Sequence, residues 1–145
     1  MKTKFLSLLF LTFISLTLFT TSCKKEETKT AETQKLFLGK WHIKLDLTVR
    51  LDSNSTVIDT IEYEVYQRGE SVWNFLENGK GFFEGDGDSS LFYYENTNKT
   101  LNIYVDGGYL ETEINKLTST EMVITHYYKY SGDDFTEKHS RFMER

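Results

Sequence analysis

Apolar and polar side chains alternate along most of the chain after Trp41. Over 41–51, Trp41, Ile43, Leu45, Leu47, Val49 and Leu51 alternate with His42, Lys44, Asp46, Thr48 and Arg50. A period of two sustained over that length predicts a half-buried β-strand with the apolar row toward the core. Asp52-Ser53-Asn54-Ser55 is a turn cluster, and strand-like residues resume over 56–67, with Ile61, Tyr63 and Val65 opposite Glu62 and Glu64. Shorter aromatic and β-branched runs follow at 72–77, 81–84, 91–95, 100–105, 109–117, 122–130 and 135–143. Each is bounded by Gly, Asn, Asp or Ser, as in Asn78-Gly79 and Asp106-Gly107-Gly108.

Short turns join neighbouring antiparallel strands, so the pattern predicts an all-β, up-and-down antiparallel barrel of about 8–9 strands. Closure removes the sticky edges that an open sheet of that many strands would expose. An immunoglobulin-like sandwich is the main rival, but it needs longer crossing connections than these turns supply. The chain contains no proline and no long apolar stripe of helical period.

The first residues follow a different pattern. Lys2 and Lys4 precede an apolar run from Phe5 to Phe19, then come Thr20, Thr21, Ser22 and Cys23. Charged start, apolar middle and small residues form the plan of a secretory signal. A cysteine directly behind it resembles a bacterial lipoprotein signal, in which that thiol is lipidated before cleavage. Thr20 stands where such signals usually carry Leu. The apolar run is shorter than the roughly 20 residues that span a bilayer. Cys23 is the only cysteine, so it has no disulfide partner in its own chain. These features divide the chain into a signal peptide (1–22), a lipidated Cys23 with a flexible tether (23–35) and a barrel domain (36–145). The tether starts Cys23-Lys24-Lys25-Glu26-Glu27 and holds no apolar residue larger than Ala31, so it has nothing to bury. Its first residues resemble the export tags of surface lipoproteins in Bacteroidota-type bacteria. The expected location is the bacterial cell envelope, as an outer-membrane lipoprotein that can be surface exposed, held to the membrane by its lipid.

Charge narrows the partners. The chain carries −5, and losing Lys2 and Lys4 with the signal makes the mature protein more acidic still. An acidic body argues against nucleic acid, whose phosphates call for Lys and Arg. It also argues against docking of the folded face on anionic lipid.

Gly39-Lys40-Trp41 opens the first predicted strand, and Gly-x-Trp at that place resembles the lipocalin signature. Trp73-Asn74-Phe75, Asn78-Gly79, Tyr94, Leu101-Asn102-Ile103, Leu117-Thr118 and Glu121-Met122-Val123-Ile124 follow in order. The series resembles the lipocalin-like domains of small bacterial lipoproteins over roughly residues 38–130. The resemblance implies a barrel with one open end and a small apolar or lipidic ligand. It also implies a late basic residue stacked on the signature Trp, for which Arg141 is the candidate by position. It carries no shared substrate or chemistry. The outer helix of animal lipocalins is not visible in the sequence. Physically, Trp41 is expected to plug the tapering closed end, and Gly39 to let the chain bend into the strand.

No catalytic constellation stands out, so the domain reads as a non-enzymatic module without a cofactor. His42, His126 and His139 do not fall at metal-ligand spacing on one element. His126 shares a face with Met122, Ile124 and Tyr128, which points it inward. Glu62/Glu64 and Glu111/Glu113 alternate with apolar residues and read as solvated faces. The acids Glu84, Asp86 and Asp88 form no calcium loop, since Ser89 stands where the glycine belongs.

The conspicuous feature of the body is its rings: all nine tyrosines, both tryptophans and most of the eleven phenylalanines. They either line a cavity or fill a small barrel. If a cavity exists, Tyr63, Trp73, Phe75, Phe92, Tyr94 and Tyr128 are the candidates to line it. The leading expectation is a ligand-binding module. The alternatives are an interaction or inhibitor domain, for which no partner is indicated, and an enzyme working inside the barrel.

Overall fold

The structure, a computed structural model, describes Thr33 and residues 35–145. The signal segment, Cys23 and nearly all of the tether lie outside the described residues. A helical turn over 35–37 leads into nine strands. They are β1 (Gly39–Leu51), β2 (Val57–Val65), β3 (Ser71–Phe75), β4 (Lys80–Gly85), β5 (Asp88–Asn96), β6 (Thr100–Val105), β7 (Gly108–Leu117), β8 (Glu121–Tyr128) and β9 (Thr136–Glu144).

Every pairing is antiparallel, and from β3 to β9 each strand pairs with the next in sequence. β9 returns to β1 over residues 42–51 of β1, and β3 pairs with β1 over 39–42. Eight strands therefore close into an up-and-down antiparallel barrel, as the short turns imply, and the sandwich alternative is excluded. β2 is the ninth strand. It continues along the same edge of β1 as β3, over residues 45–51 of β1, but stands outside the closed ring.

The β1 register contains the main departure from the expected pattern. Trp41 and Ile43 face the core, but a β-bulge between Ile43 and Leu45 inserts one extra residue against β9. Because side chains alternate every residue, one inserted residue exchanges the two faces beyond it. Asp46, Thr48 and Arg50 therefore turn inward, opposite Arg141, His139 and Glu137 of β9. Leu45, Leu47, Val49 and Leu51 take the other face. The expected single apolar row holds only as far as Ile43.

The reversal splits the barrel interior in two. The half near Trp41 is apolar and filled. Trp41, Phe75, Phe92, Leu101, Ile103 and Met122 are almost fully buried there, with Trp73, Tyr94, Ile124 and Met143. Its rings touch in stacked, tilted and edge-to-face contacts: Phe83 and Phe92 at 4.3 Å, Trp73 and Phe83 at 4.8 Å, Phe75 and Phe92 at 5.3 Å between centroids. Gly81 makes this packing feasible. A methyl group there would lie 2.2 Å from Phe92 Cζ, inside the space that the ring occupies.

The end of this half is closed by the chain itself. Gly39 has φ of 105°, a backbone conformation that suits glycine and carries the chain from the helical turn into β1. Phe37 is thereby folded under the barrel, 4.5 Å from the Phe75 ring, and its carbonyl accepts a 2.8 Å bond from Trp41 Nε1. The basic residue over Trp41 is Arg145, with Cζ 4.3 Å from the ring centroid, and not Arg141. Arg145 also donates to the carbonyls of Leu36 and Leu38, tying the last strand to the plug.

Candidate functional site

The second half of the interior is lined by polar groups and contains a cavity of about 130 Å³. β1 contributes Asp46, Leu47 and Thr48; β2 contributes Glu62; β7 contributes Leu110 and Thr112. β8 supplies Ile124 and His126, β9 supplies His139, Ser140 and Arg141, and Trp73 forms the boundary with the filled half.

Ion pairing organises this wall. Arg141 donates from Nε to Asp46 Oδ1 at 2.7 Å and from Nη2 to Asp46 Oδ2 at 2.6 Å, a bidentate pair. The guanidinium lies over the Trp73 ring, 4.7 Å from its centroid, so the indole shields one side of the pair. Tyr66 donates to Glu64 at 2.7 Å and more weakly to Asp46 at 3.3 Å. Its hydroxyl pKa is pushed well above the ordinary tyrosine value, first by burial and then by the Glu64 bond and the Asp46 charge. Nearer the mouth, Arg50 bonds Glu137 at 3.3 Å and lies over the Phe135 ring.

Two histidines meet in the same wall. His126 of β8 and His139 of β9 are register partners, and their rings stack at 4.6 Å with planes 7° apart. Tyr128 packs edge-on against both. Burial, then the neighbouring His139 and Arg141, pushes the His126 pKa down to about 4, so His126 is neutral near pH 7. His139 Nδ1 lies 2.9 Å from Thr48 Oγ1, and Thr48 Oγ1 lies 2.9 Å from Glu62 Oε2. The Thr48 hydroxyl has one proton, and an ionised carboxylate can only accept, so that proton goes to Glu62. His139 must then donate from Nδ1 to Thr48. Its Nε2 is buried without a hydrogen-bond partner, 3.8 Å from Glu137 Oε2. Among the described residues, no group of three His, Cys, Asp or Glu is placed to hold a metal ion.

The expected lining residues separate. Trp73 reaches the cavity and forms its floor. Phe75, Phe92 and Tyr94 point into the barrel but are packed into the filled half, where the Tyr94 hydroxyl is satisfied by the Leu76 carbonyl. Tyr128 stands at the mouth beside the histidines. Tyr63 does not join them. It pairs with Leu47 on the outer face of β2 and is 68% exposed, because the phase reversal in β1 carries β2 with it. The polar residues that do form the wall, Asp46, Thr48, Glu62, His139 and Arg141, lie outside the expected lining set, and Arg141 stands over Trp73 instead of Trp41. Only the inward face of His126 was visible in its strand. Glu111 and Glu113 are exposed on β7, away from the cavity.

Neither a known protein-family model nor a curated protein matches this chain.

Proposed function

We propose that this protein is a lipid-anchored envelope protein whose barrel binds a small ligand in its polar half and catalyses no reaction. The observation that carries the binding reading is the cavity of about 130 Å³ between the Asp46–Arg141 pair and the stacked histidines. Cavities of roughly 150 Å³ accept a molecule of about the size of benzene. A long acyl chain is too large for this space, so a small polar molecule suits it better than the lipidic ligand implied by the lipocalin resemblance. Arg145 over Trp41 supports that resemblance, since it supplies the late basic residue that the signature calls for. The anchor rests on the sequence: Cys23 behind a signal-like segment, followed by a tether without apolar side chains. Native mass spectrometry of the full chain in detergent tests the binding reading, with a small co-purifying mass expected. Metabolic labelling with a tagged fatty acid tests the anchor; label is expected on the native chain and absent from Cys23→Ala.

One observation favours an interaction module as the second reading. All nine residues of β2 are exposed, including Val57, Ile58, Ile61 and Val65, and its outer edge has no strand partner among the described residues. Such an edge is a template for an added strand. Under this reading, Ile61→Lys abolishes capture of a partner in pull-downs and leaves ligand retention intact.

A further inference from the structure

The cavity wall has an uneven supply of hydrogen-bonding groups. Several of its donors are already used. The Thr48 hydroxyl is committed to Glu62, the His139 Nδ1–H to Thr48, and Arg141 Nε and Nη2 to Asp46. The Thr112 hydroxyl donates to the Leu101 carbonyl at 2.9 Å, and the Ser140 hydroxyl is paired with Thr125 at 3.1 Å. Arg141 keeps three of its five N–H groups and His126 keeps one ring N–H. Acceptors are in surplus. Glu62 accepts one bond from Thr48 and has no cationic partner among the described residues. Each carboxylate can accept about four bonds.

Charge points the same way. Asp46 and Arg141 cancel, and burial holds the His126 ring neutral near pH 7. Glu62 leaves the wall with a net negative charge. An anion entering this space would face the charge of Glu62, with the Arg141 charge already neutralised by Asp46. A cation would find at the rim a carboxylate that no cation in the wall neutralises.

Resting on the small-ligand reading above, we infer that the ligand is a small hydrogen-bond-donating cation, of the class of primary ammonium compounds, whose charged head is received by Glu62. Its apolar part lies toward Leu110, Ile124 and Trp73, the apolar side of the cavity.

Three probes with the same short tail and different heads test this: n-propylammonium, 1-propanol and propionate. Each is titrated into the full chain in detergent at pH 7, by calorimetry and by NMR of the His126 and His139 ring signals. Propylammonium is expected to bind at least tenfold more tightly than propanol, with propionate weakest, and to shift both rings. Glu62→Gln is expected to remove that preference. Glu62 lies on an exposed strand, so the variant keeps the fold, which circular dichroism verifies. Glu113→Gln, on the outer face of β7, is expected to change nothing. Equal binding of the three probes, or tighter binding of propionate, overturns the cation assignment and leaves the small-ligand reading standing. If Glu62→Gln keeps full preference for the amine, the assignment to Glu62 is wrong. If none of the three binds, both the assignment and the small-ligand reading fall.

Discussion

The two halves of the barrel interior are built from the same strands, yet one is a solid and the other a cavity. In the half near Trp41, rings from β1, β3, β4 and β5 interlock around Gly81, and Phe37 seals the end. In the half near Arg50, charged and polar groups hold one another by hydrogen bonds and leave about 130 Å³ between them. The boundary coincides with the bulge between Ile43 and Leu45. A single inserted residue exchanges the faces of β1 and so changes what the barrel contains. Packed rings occupy one end, and hydrogen-bonded polar groups around a cavity occupy the other.

Variants that break this contrast should differ in size. The largest effect belongs to the filled half. Phe92→Ala removes a fully buried ring that contacts Trp73, Phe75 and Phe83, and is expected to cost about 3–5 kcal/mol in denaturant unfolding. Gly81→Ala attacks the same packing by addition and is expected to cost about 1–3 kcal/mol, since Phe92 and the Asn74 carbonyl both crowd the new methyl.

The polar half should respond differently. Asp46→Ala leaves Arg141 without its carboxylate and is expected to cost about 2–3 kcal/mol, below the range for a fully buried pair because the Arg141 side chain is 33% exposed. Replacing both partners, Asp46→Leu with Arg141→Met, is expected to recover most of that loss. The pair organises the cavity more than it stabilises the fold, and the double variant should lose ligand retention while it keeps its melting temperature.

The pH response should come next. The folded pKa of His126 is depressed to about 4, below the ordinary value of 6.5. Between those values the unfolded chain binds a proton that the folded chain refuses, so stability falls as pH drops from about 6.5 toward 4. The loss is expected to be roughly 2 kcal/mol, because each unit is worth about 1.4 kcal/mol and solvent at the open mouth screens part of it. His126→Leu should flatten the melting-temperature profile between pH 6.5 and 5. The smallest effect is at the surface. Lys40→Ala breaks the exposed Lys40–Glu84 pair at 2.8 Å and is expected to change stability by less than about 1 kcal/mol.

The strands, their turns and the closed up-and-down order were legible in the sequence, because alternation and Gly/Asn/Asp turns are local signals. The bulge was not. Trp41 through Leu51 alternate without a break, so nothing in the composition of β1 marks where the backbone slips against β9. Everything downstream of that slip was hidden with it: the inward turn of Asp46 and Thr48, the outward turn of Tyr63, and the polar wall apart from His126. The His126–His139 stack depends on the register of two neighbouring strands, which a linear pattern does not state. Position alone favoured Arg141 as the partner of Trp41. Arg145 takes that place because it lies beyond the end of β9, beside the plug, whereas Arg141 lies level with Asp46.

The reversed phase of β1 places a polar cavity with a buried, neutral His126 inside the barrel. Imidazole ring NMR across a pH titration tests it most directly. An Nδ1–H of His139 bonded to Thr48 is expected, with His126 neutral until the pH falls below about 5. A His126 ring that titrates near 6.5, as an exposed histidine does, with His139 protonated on Nε2, would contradict it.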